Sequence, residues 1–212
     1  MSSEKVYIIT DGLVGKSAAV NKCEFLEKEG IKLEHVKGLI KDILGNNTYS
    51  KSPAFIVSVG SWNFTASYLG WDVSDKFTVE ESAEKIKGAL NDFKGILKSL
   101  KSFSKSRQCK VILASLIPLP KEQNCDDAKG KRGFLVDMIS RCFIRGEELV
   151  EDFNGGKSLT PIIAKYLVKS NRRKYLTGQL KIKTECYNAD DIPDYSAQQK
   201  MRDQLVRYSR RI

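Results

Sequence analysis

The chain has 212 residues, 41% apolar and 9% aromatic, which is enough to bury a core and too apolar for wholesale disorder. Lys and Arg outnumber Asp and Glu by 36 to 26, and the resulting +10 calls for a polyanionic partner, nucleic acid before an anionic membrane. The longest apolar run, Val111–Leu119, is broken by Ser115 and Pro118 and falls short of the roughly 20 residues of a bilayer span, and Met-Ser-Ser-Glu-Lys carries no secretory leader.

In chain order, Val6–Thr10 reads as a buried strand and Ser17–Glu29 as a helix closed by Gly30. Ile31–Val36 alternates weakly as a second strand, followed by a short helix over Leu39–Leu44. Ala54–Gly60 (AFIVSVG) is the clearest core strand, Val79–Phe103 a long helix, and Lys110–Leu116 (KVILASL) another buried strand. Beyond the polar stretch KEQNCDDAKGKR, Phe134–Phe143 and Leu159–Val168 read as helices and Gln179–Lys183 as a short strand. Ala197–Arg210 reads as a final helix. Apolar strands alternating with helices predict an α/β fold, a three-layer α/β/α sandwich with a mainly parallel sheet, in a single domain over residues 5–211.

The stretch YIITDGLVGKSAAV invites comparison with a phosphate-binding loop. That loop needs G-x-x-x-x-G-K-[ST], because its glycines let backbone N–H groups wrap the phosphates. Counting back from Gly15-Lys16-Ser17, the first glycine would stand where Thr10 does, and Gly12 leaves the loop too short.

Four segments together resemble the SGNH (GDSL-type) hydrolase family. That family's first strand ends in Gly-Asp-Ser; here the turn reads Thr10-Asp11-Gly12, with Gly12 in the nucleophile slot. Gly38 stands where the second block has its glycine. IVSVGSWNF matches the third block, Gly-x-Asn-Asp, with Trp62 in the Asn slot and Asn63 one place late. The final Asp-x-x-His is matched by Asp191-Ile192-Pro193-Asp194, with Asp194 in the histidine slot. The resemblance implies a flavodoxin-like SGNH fold in which Gly12, Trp62, Asp191 and Asp194 are vestigial positions and none is catalytic.

The chemistry agrees with that loss. A serine nucleophile needs a neutral imidazole to take its proton, and a carboxylate does not replace that base. The single histidine, His35, falls on the expected second strand and reads as a strand-end or surface group. Ser17 and Ser61 are the alternative nucleophiles of a displaced esterase site, each without a partner base in the sequence. The five cysteines are scattered and never spaced as CxxC, so reduced thiols are expected, with no metal site and no cofactor.

Positive charge concentrates in two places. Residues 93–121 hold no acid, and Lys87, Lys94, Lys98, Lys101 and Lys105 recur at helical spacing. From Lys169 to Ile212, eleven basic residues face five acids, leaving +6 of the net +10 in about a fifth of the chain. Arg172-Arg173-Lys174 beside Tyr175 pairs guanidinium groups with an aromatic, and Lys181 and Lys183 share one side of an extended segment. With Lys37, Lys41, Lys98, Lys101, Arg202, Arg207, Arg210 and Arg211, these residues form the expected RNA contacts. A broad basic α/β surface suits single-stranded or looped RNA better than the DNA major groove.

A basic SGNH-like chain with a dismantled triad resembles the OSK-domain branch of that family, found in insect germ-plasm organisers. That resemblance implies a noncatalytic domain that binds messenger RNA, including 3′ untranslated regions, and meets germ-granule proteins in cytoplasmic ribonucleoprotein granules. The competing readings are an esterase with displaced residues and a protein-interaction scaffold whose basic surface is incidental.

Overall fold

The computed structural model describes residues 5–15, 23–46, 52–64, 78–120, 130–156, 167, 182–190 and 192–212. Strand β1 (Val6–Thr10) lies between β2 (Cys23–Glu27) and β3 (Ala54–Ser58), and β4 (Lys110–Leu113) adds outside β3. All three pairings are parallel, with Ile8 opposite both Phe25 and Ile56. The helices are α1 (Leu33–Asn46), α2 (Val79–Ser106), α3 (Gly130–Phe153) and α4 (Tyr195–Ser209). This is an α/β fold.

The apolar runs VYIIT and AFIVS are buried at every position because both faces of the sheet are covered. Tyr7, Ile9, Phe55 and Val57 pack with Phe93, Leu97 and Leu100 of α2 and Ile139 and Phe143 of α3. Val6, Ile8, Ala54 and Ile56 turn the other way, onto Ala197, Met201 and Leu205 of α4. Each such aliphatic or aromatic side chain contributes about 1.5–3 kcal/mol on leaving water.

Two adjacent elements differ from the sequence reading. Ser17–Glu29 was expected to be helical, but Cys23–Glu27 is strand β2, parallel to β1 along its whole length. Residues 17–22 lie outside the described residues. The expected strand Ile31–Val36 is instead the entry to α1, whose buried residues Leu33, Val36 and Ile40 fall at i, i+3 and i+7. The long helix α2 extends three residues beyond its expected end and starts at a capping box. There Glu81 N–H donates to Thr78 Oγ1 at 3.1 Å, and Thr78 N–H donates to Glu81 Oε2 at 2.7 Å. Helix α3 covers the expected Phe134–Phe143 and continues to Phe153. The expected helix Leu159–Val168 lies outside the described residues except Leu167, which is helical and whose carbonyl accepts from Lys183 N–H at 2.8 Å.

The outer edge of β4 is closed by a side chain. Leu113 N–H donates to Asn154 Oδ1 at 3.0 Å, and Asn154 Nδ2 donates back to the Leu113 carbonyl at 2.8 Å. Beyond β4, Leu116 N–H donates to the buried Glu147 carboxylate, and Ile117 N–H to Ser61 Oγ at 2.7 Å. Gly146 lets α3 approach the turn after β3: a Cβ there would stand 2.5 Å from the Phe64 ring.

Candidate nucleic-acid interface

In open parallel sheets, ligands bind beyond the carboxyl ends of the strands where the strand order reverses. Here the reversal lies between β1 and β3, at Thr10-Asp11-Gly12 and at the turn Gly60–Phe64. Thr10 is in register with Glu27 on one side and Ser58 on the other, so the three side chains share one face. Thr10 Oγ1, Ser58 Oγ and Glu27 Oε2 are buried atoms with no hydrogen-bond partner among the described residues. Asp11 is 1% exposed; its Oδ1 accepts from Leu13 N–H at 3.3 Å. Burial raises its carboxyl to about 7, against the donors at Leu13 and its own backbone N–H, and the nearby Glu27 charge adds to the rise.

The positions expected to be vestigial take structural roles where they are described. Gly12 adopts φ +93°, where a side chain is strained. Trp62 is half-buried against the cluster beneath α4. Asp194 caps α4, its Oδ1 accepting from Ala197 N–H at 2.7 Å, and Asp191 lies outside the described residues. Asn63 accepts from Leu33 N–H at 3.1 Å and so holds the start of α1 to the turn after β3. Gly38 does not follow a strand: it sits inside α1, exposed, with nothing within 4 Å of a Cβ. His35 is exposed in the first turn of α1, where its Nδ1 accepts from Lys32 N–H at 3.3 Å. It makes no hydrogen bond to a hydroxyl among the described residues. No group of three or more His, Cys, Asp or Glu side chains is placed to hold a metal ion among the described residues.

The basic residues divide into exposed, engaged and buried. Lys87, Lys94, Lys98, Lys101 and Lys105 are all exposed on α2. Lys87 pairs with Glu84 at 2.7 Å, whereas Lys94, Lys98 and Lys105 have no ion pair among the described residues. At 1.5 Å per residue, Lys94 to Lys105 spans about 16 Å of unneutralised charge. Lys101 donates to the Phe153 carbonyl at 3.3 Å, at the carboxyl end of α3, where a cation is favoured. From α1, Lys41 is exposed, and Lys37 Nζ donates to Ser99 Oγ at 3.2 Å, which brings the two helices' basic faces side by side.

On α4 and just beyond it, Arg207, Arg210 and Arg211 are exposed. Arg202 is not a surface contact. It is 9% exposed, donates from Nη1 to the Val14 carbonyl at 2.9 Å, and lies 5.7 Å from the Tyr195 ring centroid. It ties α4 to the loop after β1, where a side chain on Gly15 would meet Arg202 Nη1 at 2.6 Å. Lys183 is half-buried, and Arg172, Arg173, Lys174 and Lys181 lie outside the described residues.

Sequence reading missed a groove of about 530 Å³ between α1 and α2, beside the lysine row. Its one sequence signal is Gly95, a glycine inside a helix with open space above it. No protein-family model, curated protein or solved structure matches this chain. Among the described residues no helix is long and apolar enough to cross a membrane.

Proposed function

We propose that this chain is a noncatalytic RNA-binding domain, an SGNH-like fold akin to the C-terminal domain of Oskar. On this reading it takes messenger RNA, including 3′ untranslated regions, through its basic surface and joins germ-granule proteins in cytoplasmic ribonucleoprotein granules. The observation that carries the reading is the row Lys94, Lys98 and Lys105, exposed on one helix with no ion pair among the described residues. Like charges held at this spacing repel one another, and a phosphate backbone relieves that repulsion while releasing counterions. The engagement of His35 with its own helical turn further disfavours acyl chemistry.

The test is the affinity for single-stranded RNA across a salt series, run beside hydrolysis of a short aryl ester. Affinity is expected to fall steeply with salt, and Lys94→Glu with Lys98→Glu to weaken it at every salt concentration. Ester turnover above background, or RNA affinity indifferent to salt and to those substitutions, overturns the reading.

A further inference from the structure

The groove between α1 and α2 is lined at its floor by Leu33, Ile96 and Leu100, with Leu33 and Leu100 fully buried. Glu34 and Asp92 carry the carboxylates of its lining, and Lys37, which also lines it, crosses between the helices with its Nζ directed to Ser99 Oγ. Its volume of about 530 Å³ lies within the range of small-molecule sites. Gly95 opens it, since nothing lies within 4 Å of where its Cβ would be.

The helix geometry orders these groups. At about 100° per residue, Lys98 lies roughly 60° round α2 from Gly95 on one side and Asp92 roughly 60° on the other. The lysines, which have no ion pair among the described residues, therefore stand with Asn91 on the outer lip of the groove, and Asp92 and Ser99 on its inner wall. A strand whose phosphates run along Lys94 and Lys98 would turn its bases across Gly95, onto an apolar floor and towards Asp92 and Glu34.

We infer that this groove is a base-reading pocket for single-stranded RNA that prefers cytosine to uracil. The inference rests on the RNA-binding reading above. Carboxylates only accept hydrogen bonds, so they select a base edge that donates from an exocyclic amine. Cytosine offers N4–H₂ at the position where uracil presents the O4 carbonyl, whose lone pairs would face those of Asp92. The two rings match in size and stacking face, so the contrast isolates the polar edge from stacking.

The experiment is fluorescence anisotropy with labelled oligo(C) and oligo(U) at several salt concentrations. The wild-type chain is expected to bind oligo(C) about tenfold more tightly than oligo(U). Gly95→Leu fills the groove and replaces a helix-interior glycine by a better helix former, so the fold is expected to be retained by circular dichroism. In that variant the two affinities are expected to come within about twofold of each other. Asp92→Asn, which adds a donor, is expected to narrow the preference as well. Equal wild-type affinities with a steep salt dependence sink the pocket and leave the RNA-binding reading standing; a preference that survives Gly95→Leu also sinks it. Binding of neither oligomer removes both.

Discussion

Asn154 bonds to β4 as a neighbouring strand would: its amide both accepts from Leu113 N–H and donates to the Leu113 carbonyl, at 3.0 and 2.8 Å. An unpaired strand edge invites association with another chain, and here a side chain from the end of α3 fills part of it. Asn154→Ala leaves both groups of the buried Leu113 without this partner at the rim of the core. Thermal unfolding is expected to show a loss of about 1–3 kcal/mol, a fall in Tm of several degrees, with Asn154→Asp little better because it lacks the donor.

Asp11 makes stability depend on pH. Its folded carboxyl titrates near 7, above the ordinary value of 3.8, mainly because it is buried. The folded state therefore holds the proton more tightly than the unfolded chain does. Its contribution is complete below about pH 4 and declines as pH rises towards 7, at no more than about 1.4 kcal/mol per pH unit. Asp11→Asn keeps an acceptor for Leu13 N–H and removes the titration. Denaturant unfolding from pH 4 to 7 is expected to slope downward in the wild type more than in this variant; parallel curves refute the assignment.

Arginines of similar sequence context divide into two roles. Arg202→Ala removes a buried donor to Val14 and the packing of its stem, and is expected to cost about 1–3 kcal/mol of stability. Arg210→Ala together with Arg211→Ala touches only exposed groups, so Tm should stay within a degree or two of the wild type. If both arginines meet phosphates, the same pair should flatten the salt dependence of RNA binding, by about 0.7 in log–log slope for each phosphate no longer neutralised.

Gly38 gives the cleanest gain. It sits inside α1, exposed, with ordinary helical φ and free space around a Cβ. Gly38→Ala is expected to stabilise by about 0.5–1 kcal/mol in denaturant titration. A loss instead would mean that the glycine has a role at this face that packing does not reveal.

The central strands were legible because VYIIT and AFIVS are apolar at successive positions, which suits a strand covered on both faces. Strand β2 was not. Cys23–Glu27 lies among lysines and glutamates that favour a helix, and the free edge of β1 decides its state through non-local pairing. The error then passed to α1, where Gly38 obscured the helical spacing of Leu33, Val36 and Ile40. The lysine row of α2 was legible, because charge periodicity is a local property of one helix. The groove beside it was not, because it depends on where α1 lies. The depth of Arg202 was hidden for the same reason: charge says nothing of burial until Val14 and Gly15 are placed against α4.

The face of the sheet formed by Val6, Ile8, Ala54 and Ile56 finds its cover in α4, about 140 residues downstream of β3. At a synthesis rate of roughly 5–20 residues per second, that interval is roughly seven to thirty seconds. For that time an oily surface the width of at least two strands has left the ribosome before its lid exists. Removal of α4 is expected to leave that surface open and to convert a productive nascent chain into an aggregating one.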